Sequence, residues 1–421
     1  MTALLSATRP ADVRAHPRAA PARPRSTPRA LAPITSKWPR HEPDEIAAVT
    51  AVLEAGRTNS LVHGEQNKAF EAGFAALCQQ PHAIALANGT LALELALRAL
   101  GIGRGDEVIV TPRSFFASVA VVVAVGATPV FADIDAVSQN ITAATIASAM
   151  SDRTRAIIVV HLAGWPCAMN EIMALAEGHN LKVIEDCAQA HGATIDGRPV
   201  GSFGDAAAFS FCTDKIMSTG GEGGMLALRD TDVWDRAWSY KDHGKSLKIM
   251  REPNHSRSFR HLHHSFGSNF RLTEMQAAIG VVQLHKLPGW LAARRAHADA
   301  LNDRLTAVQA LRLTRPEPEI GHAYYKYYAF LRPCRLRHDW TRDRIVAEAN
   351  DAGIPCFSGS CPEIYLEGAF QDSGLAPAGP LPLARLLGQT SLMLPVDHTL
   401  SMADIDRMGD GLAQIIASAS N

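Results

Sequence analysis

The chain has 421 residues, 47% of them hydrophobic and 20% charged, with 41 Lys and Arg against 42 Asp and Glu; that length provides for two or three globular units with ample core. Residues 1–40 hold eight of the basic side chains and one acid, which leaves 33 basic and 41 acidic residues in a body near −8. A mildly acidic body argues against nucleic acid as the main partner, because neutralising phosphates needs a basic surface.

Residues 1–36 are rich in Ala, Pro and Arg, with hardly any apolar periodicity after Leu5. Such a tail cannot bury enough surface to offset its chain entropy and reads as disordered. Its Arg-rich, acid-poor composition also resembles an organelle transit peptide, but six prolines between Pro10 and Pro33 argue against the amphipathic helix such a peptide needs. From Pro43 the pattern becomes regular. Residues 44–53 predict a helix ending at Gly56, and 69–77 a second. Short apolar runs then alternate with helical stretches: 83–86, 108–110, 129–131, 156–160, 182–185, 207–211 and 225–228 all fit buried strands. Strands alternating with helices imply an α/β class, with a largely parallel sheet of about seven strands covered on both faces.

The best candidate for a membrane span, 115–132, contains Ser118, Gly126, Thr128 and Pro129. A buried helix followed by a buried strand explains it better than a span needing about 20 apolar residues. After a charged, His-containing stretch over 241–264, a helical segment begins near Leu272, is interrupted at Pro288 and resumes through Leu305. The remainder predicts a smaller α+β domain: a strand over 325–331, a helix over 342–352 and a closing helix over 402–417. The expected layout is a tail over 1–36, a large domain over 37–290 and a small C-terminal domain over 291–421. Seven cysteines (78, 167, 187, 212, 334, 356 and 361) form no CxxC pair and read as reduced thiols of a soluble cytoplasmic protein without membrane contact.

The chemistry concentrates in Val183-Ile-Glu-Asp-Cys-Ala-Gln-Ala-His-Gly192, Ala208-Phe-Ser-Phe-Cys-Thr-Asp-Lys215 and Gly220-Gly-Glu-Gly-Gly224. Asp186 falls where a buried strand ends, which is where α/β sheets place their ligands. A carboxylate there could bind a metal, cap a helix or hold a cationic ring. Lys215 follows another buried strand by four residues and should reach the same edge, where an amine can serve as a nucleophile. Upstream, Asn88-Gly-Thr-Leu91 opens a helix with small and hydroxylated residues, leaving backbone N–H groups aimed along the helix dipole at a phosphate; the same turn also serves as a plain helix cap. No Gly-Lys-Ser/Thr follows and no GxGxxG appears, so neither a Walker loop nor a nicotinamide dinucleotide fits. A phosphate cradle, an acid at one strand end and a lysine at another together describe a site for pyridoxal 5′-phosphate (PLP).

At these motifs the chain resembles the DegT/StrS family of PLP-dependent sugar aminotransferases, of the fold-type-I aspartate aminotransferase superfamily. The resemblance runs from about residue 38 to residue 412. It also rests on Thr-Pro-Arg-Ser-Phe115, His161-Leu-Ala-Gly-Trp-Pro166 and Gly267-Ser-Asn-Phe-Arg271 leading into Gln276-Ala-Ala-Ile-Gly280. It implies that Lys215 is the Schiff-base lysine and Asp186 the partner of the pyridinium nitrogen. Phe115 matches the aromatic stacked on the ring and Gln189 the residue beside its phenolic oxygen. Gly89, Thr90, the Leu91 amide and Ser210 match the phosphate shell. Asn269 matches a phosphate ligand reaching in from a neighbouring subunit, which implies a homodimer with shared active sites. His161, Tyr325 and Lys326 are candidate substrate contacts.

The implied reaction is ping-pong transamination. L-glutamate donates, Lys215 moves the proton and a keto sugar, nucleotide-linked, accepts, in the making of a polysaccharide or glycosylated metabolite. The rival readings are a keto-cyclitol acceptor, a sugar dehydratase and a non-catalytic regulatory protein. The dehydratase branch carries histidine where this chain has Lys215, and intact Asp186 and Lys215 count against a regulator. No metal is expected: Cys356 and Cys361 are a spacing-only pair. His261 and His263, with His255 and His264 nearby, have no carboxylate or cysteine adjoining them.

Overall fold

A computed structural model describes residues 32–253 and 259–421; residues 1–31 of the expected tail, and His255, lie outside the described residues. In chain order the first strands are β1 (His82–Leu86), β2 (Glu107–Val110), β3 (Thr128–Phe131), β4 (Thr154–Val160) and β5 (Lys182–Asp186). They are followed by a short hairpin of β6 (Thr194–Ile195) and β7 (Arg198–Pro199), then β8 (Ala206–Ser210) and β9 (Gly224–Leu228). All but the hairpin join one seven-stranded sheet in the order β1-β9-β8-β5-β4-β2-β3, so each of the seven apolar runs is a strand. The β2–β3, β2–β4, β4–β5 and β5–β8 pairings are parallel, and β9 runs against both of its neighbours.

Successive side chains point to opposite faces, so Val108, Val110 and Ile158 enter one core cluster while Ile109, Ile157 and Val159 enter another. Burial on both faces is why these strands read as continuous apolar runs instead of alternating ones. The stretch 115–132 forms the helix Ala117–Ala124 and then β3. Among the described residues no helix is long and apolar enough to cross a membrane.

The helix Glu274–Leu305 begins at a capping box on Thr273 and runs through Pro288 without the expected interruption. An interior proline costs about 3 kcal/mol. Leu287 and Leu291, on the same face, are both buried, and burying two leucines stabilises by about 3–6 kcal/mol, so packing wins. Residue 290 therefore lies inside a continuous helix.

Beyond it, β10 (Leu311–Leu313) is followed by β11 (Ile320–Gly321), which joins the hairpin, and by β12 (Tyr327–Leu331) and β13 (Ser391–Leu394). The order β10-β12-β13 makes a small antiparallel sheet. The helices Arg342–Asp351 and Met402–Ala419 are close to their expected bounds. The strand expected from 325 starts at Tyr327, and Tyr324 ahead of it holds a left-handed φ of 46°. At the other end of the chain, the expected tail stops short of residue 36. Ile34 is buried, and its N–H donates to the Gly353 carbonyl at 2.8 Å. A lone isoleucine among Ala and Pro carries no periodicity, so its docking is invisible in the sequence.

Candidate active site

Strand register builds the site. Leu86 of β1 and Ser210 of β8 both pair with Gly224 of β9, which sets the turn after β1 beside the end of β8. Asp186 pairs with Ala208 of β8 and with Val160 of β4, so β5 ends at the same edge. The helix Gly89–Ala99 starts there, so close to β8 that a Cβ on Gly89 would stand 2.7 Å from Ser210 Cβ. Asn88 caps it: its Oδ1 accepts the Leu91 N–H at 2.9 Å. The Leu91 amide, expected to face a phosphate, is therefore taken by the cap, because an Asn at this position competes for the same donor. Gly89 and Thr90 occupy the first turn, whose N–H groups have no carbonyl a turn earlier to bond.

These ends surround a cavity of about 570 Å³ lined by Gly89, Thr90, Phe115, Asp186, Gln189, Ser210 and Lys215, among others. Asp186 is the buried carboxylate of this lining. Ser118 Oγ donates to Asp186 Oδ2 at 2.7 Å, the Ala188 N–H donates to Oδ1 at 3.1 Å, and Ser114 lies 3.0 Å from Ser118. Burial pushes the Asp186 carboxyl above its ordinary value, against both of those hydrogen bonds; a cationic partner in the cavity would reverse that. Gln189 Oε1 accepts the Ala163 N–H at 2.7 Å, which leaves the amide nitrogen as the free end of a side chain that lines the cavity. Phe115 leaves 68% of its surface exposed at the cavity wall, an aromatic face with room for a ring.

Lys215 is anchored through its backbone. Its N–H donates to the Cys212 carbonyl at 3.0 Å, and its own carbonyl accepts the Trp38 indole N–H at 2.7 Å. Its Nζ lies 3.5 Å from Asp214 Oδ2 and 5.1 Å over the Tyr325 ring. The residues present thus fit PLP: an acid for the ring nitrogen, an amide donor, an aromatic face, a helix N-terminus for the phosphate and an amine.

The remaining candidates do not line the cavity. Asn269 is exposed, bridges to Asp242 and takes no part in this chain's cavity. Tyr325 is buried with its hydroxyl donated to Asp214, and Lys326 Nζ sits 5.0 Å over the Tyr325 ring, its amine held below the usual value by burial and then by the Arg294 charge. His161 corrects an expectation. It is fully buried away from the cavity, with Nε2 3.1 Å from Glu185 Oε2 and Nδ1 accepting the Cys167 N–H at 3.0 Å. Glu185 also accepts the N–H groups of Gly201, Phe203 and Gly204. Burial alone would push Glu185 up. The His161 hydrogen bond and charge and the Gly204 and Gly201 amides outweigh it and hold the carboxyl below its ordinary range.

His161, Glu185 and Cys187 bring potential metal ligands within 4.8 Å of one another. Those Glu185 oxygens are already engaged and burial drives the Cys187 thiol well up, so the group is a hydrogen-bond node under the sheet edge. Sequence reading missed Ser118, whose one signal is its position a helical turn after Ser114. It also missed Asp214, hidden beside the more conspicuous lysine.

A model of the DegT/DnrJ/EryC1/StrS aminotransferase family matches residues 39–413. The chain belongs to this family. GDP-perosamine synthase of Caulobacter vibrioides is 37% identical over 351 residues, 82% of this chain and 89% of that protein. The dTDP-3-amino-3,4,6-trideoxy-alpha-D-glucose transaminase of Streptomyces venezuelae is 33% identical over 368 residues, 87% of this chain and 91% of that one. The crystal structure of an aminotransferase from Psychrobacter cryohalolentis superposes with a TM-score of 0.90 at 49% identity, covering 92% of this chain and all of that one. The protein is an enzyme, a transaminase of a PLP-dependent family, as the motifs implied.

Proposed function

We propose that this transaminase binds PLP in the cavity at the sheet edge and moves an amino group from L-glutamate to the ketone of a nucleotide-linked sugar. The observation that carries this reading is the convergence of Asp186, Lys215 and the N-terminus of the helix Gly89–Ala99 on one cavity. The names of the synthase and transaminase above support the sugar acceptor. When bound, PLP supplies an electron sink that makes the α-proton of an amino acid removable.

The chain's residues would do the rest. Asp186, buried and hydrogen-bonded by Ser118, is placed to hold a proton on a ring nitrogen. Phe115 would cover one ring face, and the Gln189 amide nitrogen would meet the ring oxygen. The Gly89 and Thr90 amides and the Ser210 hydroxyl would receive the phosphate. Lys215, the amine in the same cavity, would take and return the substrate proton. Asn269 would complete the phosphate shell of a partner subunit in a homodimer. Its exposure supports this, as does the exposure of Phe259 and Phe266 on the same stretch of chain. Seven free cysteines are in keeping with a cytoplasmic setting.

The test is the absorption spectrum of the protein supplied with PLP, before and after L-glutamate. A visible band that gives way to near-ultraviolet absorption on adding glutamate, and returns with a nucleotide-linked keto sugar, is the expected result. A band indifferent to glutamate would overturn the donor, and no band at all would overturn the reading.

A further inference from the structure

The cavity that Lys215 lines holds a second aspartate besides Asp186. Asp214 sits beside the lysine in sequence with a half-exposed side chain (53%), whereas the Lys215 side chain is largely covered (13%). Adjacent residues in a loop usually diverge, but here Asp214 Oδ2 turns back to lie 3.5 Å from Lys215 Nζ. The Tyr325 hydroxyl accounts for this by donating to the same Oδ2.

Tyr325 in turn is fixed from behind. Arg294, a buried side chain of the helix Glu274–Leu305, reaches the Tyr324 and Tyr325 carbonyls with Nη1 at 3.2 Å each, and Tyr324 takes up the left-handed turn that aims Tyr325 at the loop. The Lys215 backbone is pinned by Trp38 and Cys212, so any movement of the amine between cavity and carboxylate has to come from rotation of the side chain. Asp214 is held below its ordinary pKa by Lys215 and the Tyr325 hydrogen bond despite partial burial, which keeps it anionic opposite the amine.

We propose that Asp214, oriented by the Tyr325 hydroxyl, is a positioning residue that holds the Lys215 amine at the cavity rim whenever that amine is not bonded to the cofactor. The proposal rests on Lys215 being the cofactor-linked lysine. A freed lysine has four rotatable bonds and, unheld, samples many rotamers. A carboxylate at one end of its arc returns it to one place, within reach of the cavity. Tyr325 accordingly acts through Asp214 and not as a direct substrate contact.

The test uses the cofactor-free protein. Lys215 is labelled with a limiting amine-directed acylating reagent, and the modified peptides are quantified by mass spectrometry against Lys182, a more exposed lysine paired with Asp205. Asp214→Asn should label at Lys215 about two- to five-fold faster than the parent, the scale of a partly exposed ion pair, with Lys182 unchanged. Tyr325→Phe should lie between the two, and Asp214→Glu should restore the parent rate. Parent-rate labelling in Asp214→Asn, or failure of Asp214→Glu to restore it, would overturn the proposal; a general loss of folding would raise Lys182 as well and is read from the Glu and Phe variants. The spectrum of the PLP-loaded parent tests the catalytic reading separately, so a missing visible band with responsive labelling would sink that reading and leave the ion pair standing.

Discussion

Glu185 and Asp186 are adjacent acids at the end of β5, yet the first is an interior strut and the second faces the cavity. Alternation along the strand sends their side chains to opposite sides. Glu185 finds three backbone N–H groups and His161, while Asp186 finds Ser118, one amide and open space. The Glu-Asp pair was legible as chemistry, but its division of labour was not, because the Glu185 partners come from residues 161 and 201–204. Glu185→Ala would leave those donors buried without an acceptor. It should lower unfolding free energy by about 3–5 kcal/mol, the cost of stripping one side of a buried charged cluster, with Glu185→Gln intermediate. Denaturant midpoints at constant m-value would show it. A loss below about 1 kcal/mol, the scale of one ordinary hydrogen bond, would mean the node is not structural.

At the level of elements, the site depends on the helix Gly89–Ala99 lying against β8. Gly89 is required by that contact: Ser210 Cβ, Ser210 Cα and the Phe209 carbonyl all fall within 3.2 Å of where its Cβ would be. Gly89→Ala must push the helix N-terminus off the strand end, at a cost of about 1–3 kcal/mol. It should weaken PLP binding about ten-fold or more, since that terminus is the proposed phosphate cradle; spectroscopic titration measures it, and unchanged affinity would place the phosphate elsewhere. The elements themselves were largely readable, because buried parallel strands announce themselves as apolar runs and helices by their caps. What could not be read were features set by distant partners: the passage of the long helix through Pro288, the docking of Ile34, and the burial of His161, whose motif position gives no hint of which face it takes.

For the molecule as a whole, acid should be the weak direction. His191 is fully buried among Phe74, Phe209 and Phe211, and burial, with Lys215 nearby, lowers its pKa to about 3. His322, buried against Tyr324, is lowered to about 3 as well, by burial and then the Arg295 charge. In the unfolded chain both would titrate near 6.5. The unfolded state thus binds more protons below that value, and the stability these residues contribute is present above about pH 6.5 and lost as pH falls toward 3, by about 1.4 kcal/mol per pH unit for each group. Urea midpoints from about pH 7 down to about pH 5 should fall accordingly, and His191→Phe should make the decline shallower. An equal slope in that variant would show that His191 is not the group being charged.

The Trp38 indole gives the molecule one more property. Its N–H rests on the carbonyl of Lys215, 177 positions along the chain, and its ring meets Trp290 edge-on at 5.1 Å. A fluorophore anchored to the backbone of the lysine that would carry the cofactor is a built-in gauge of loading. Pyridoxal phosphate absorbs where indole emits, so filling the site would dim these two tryptophans by resonance transfer, and emptying it would light them again. Occupancy could then be followed in the protein's own ultraviolet emission, without a label.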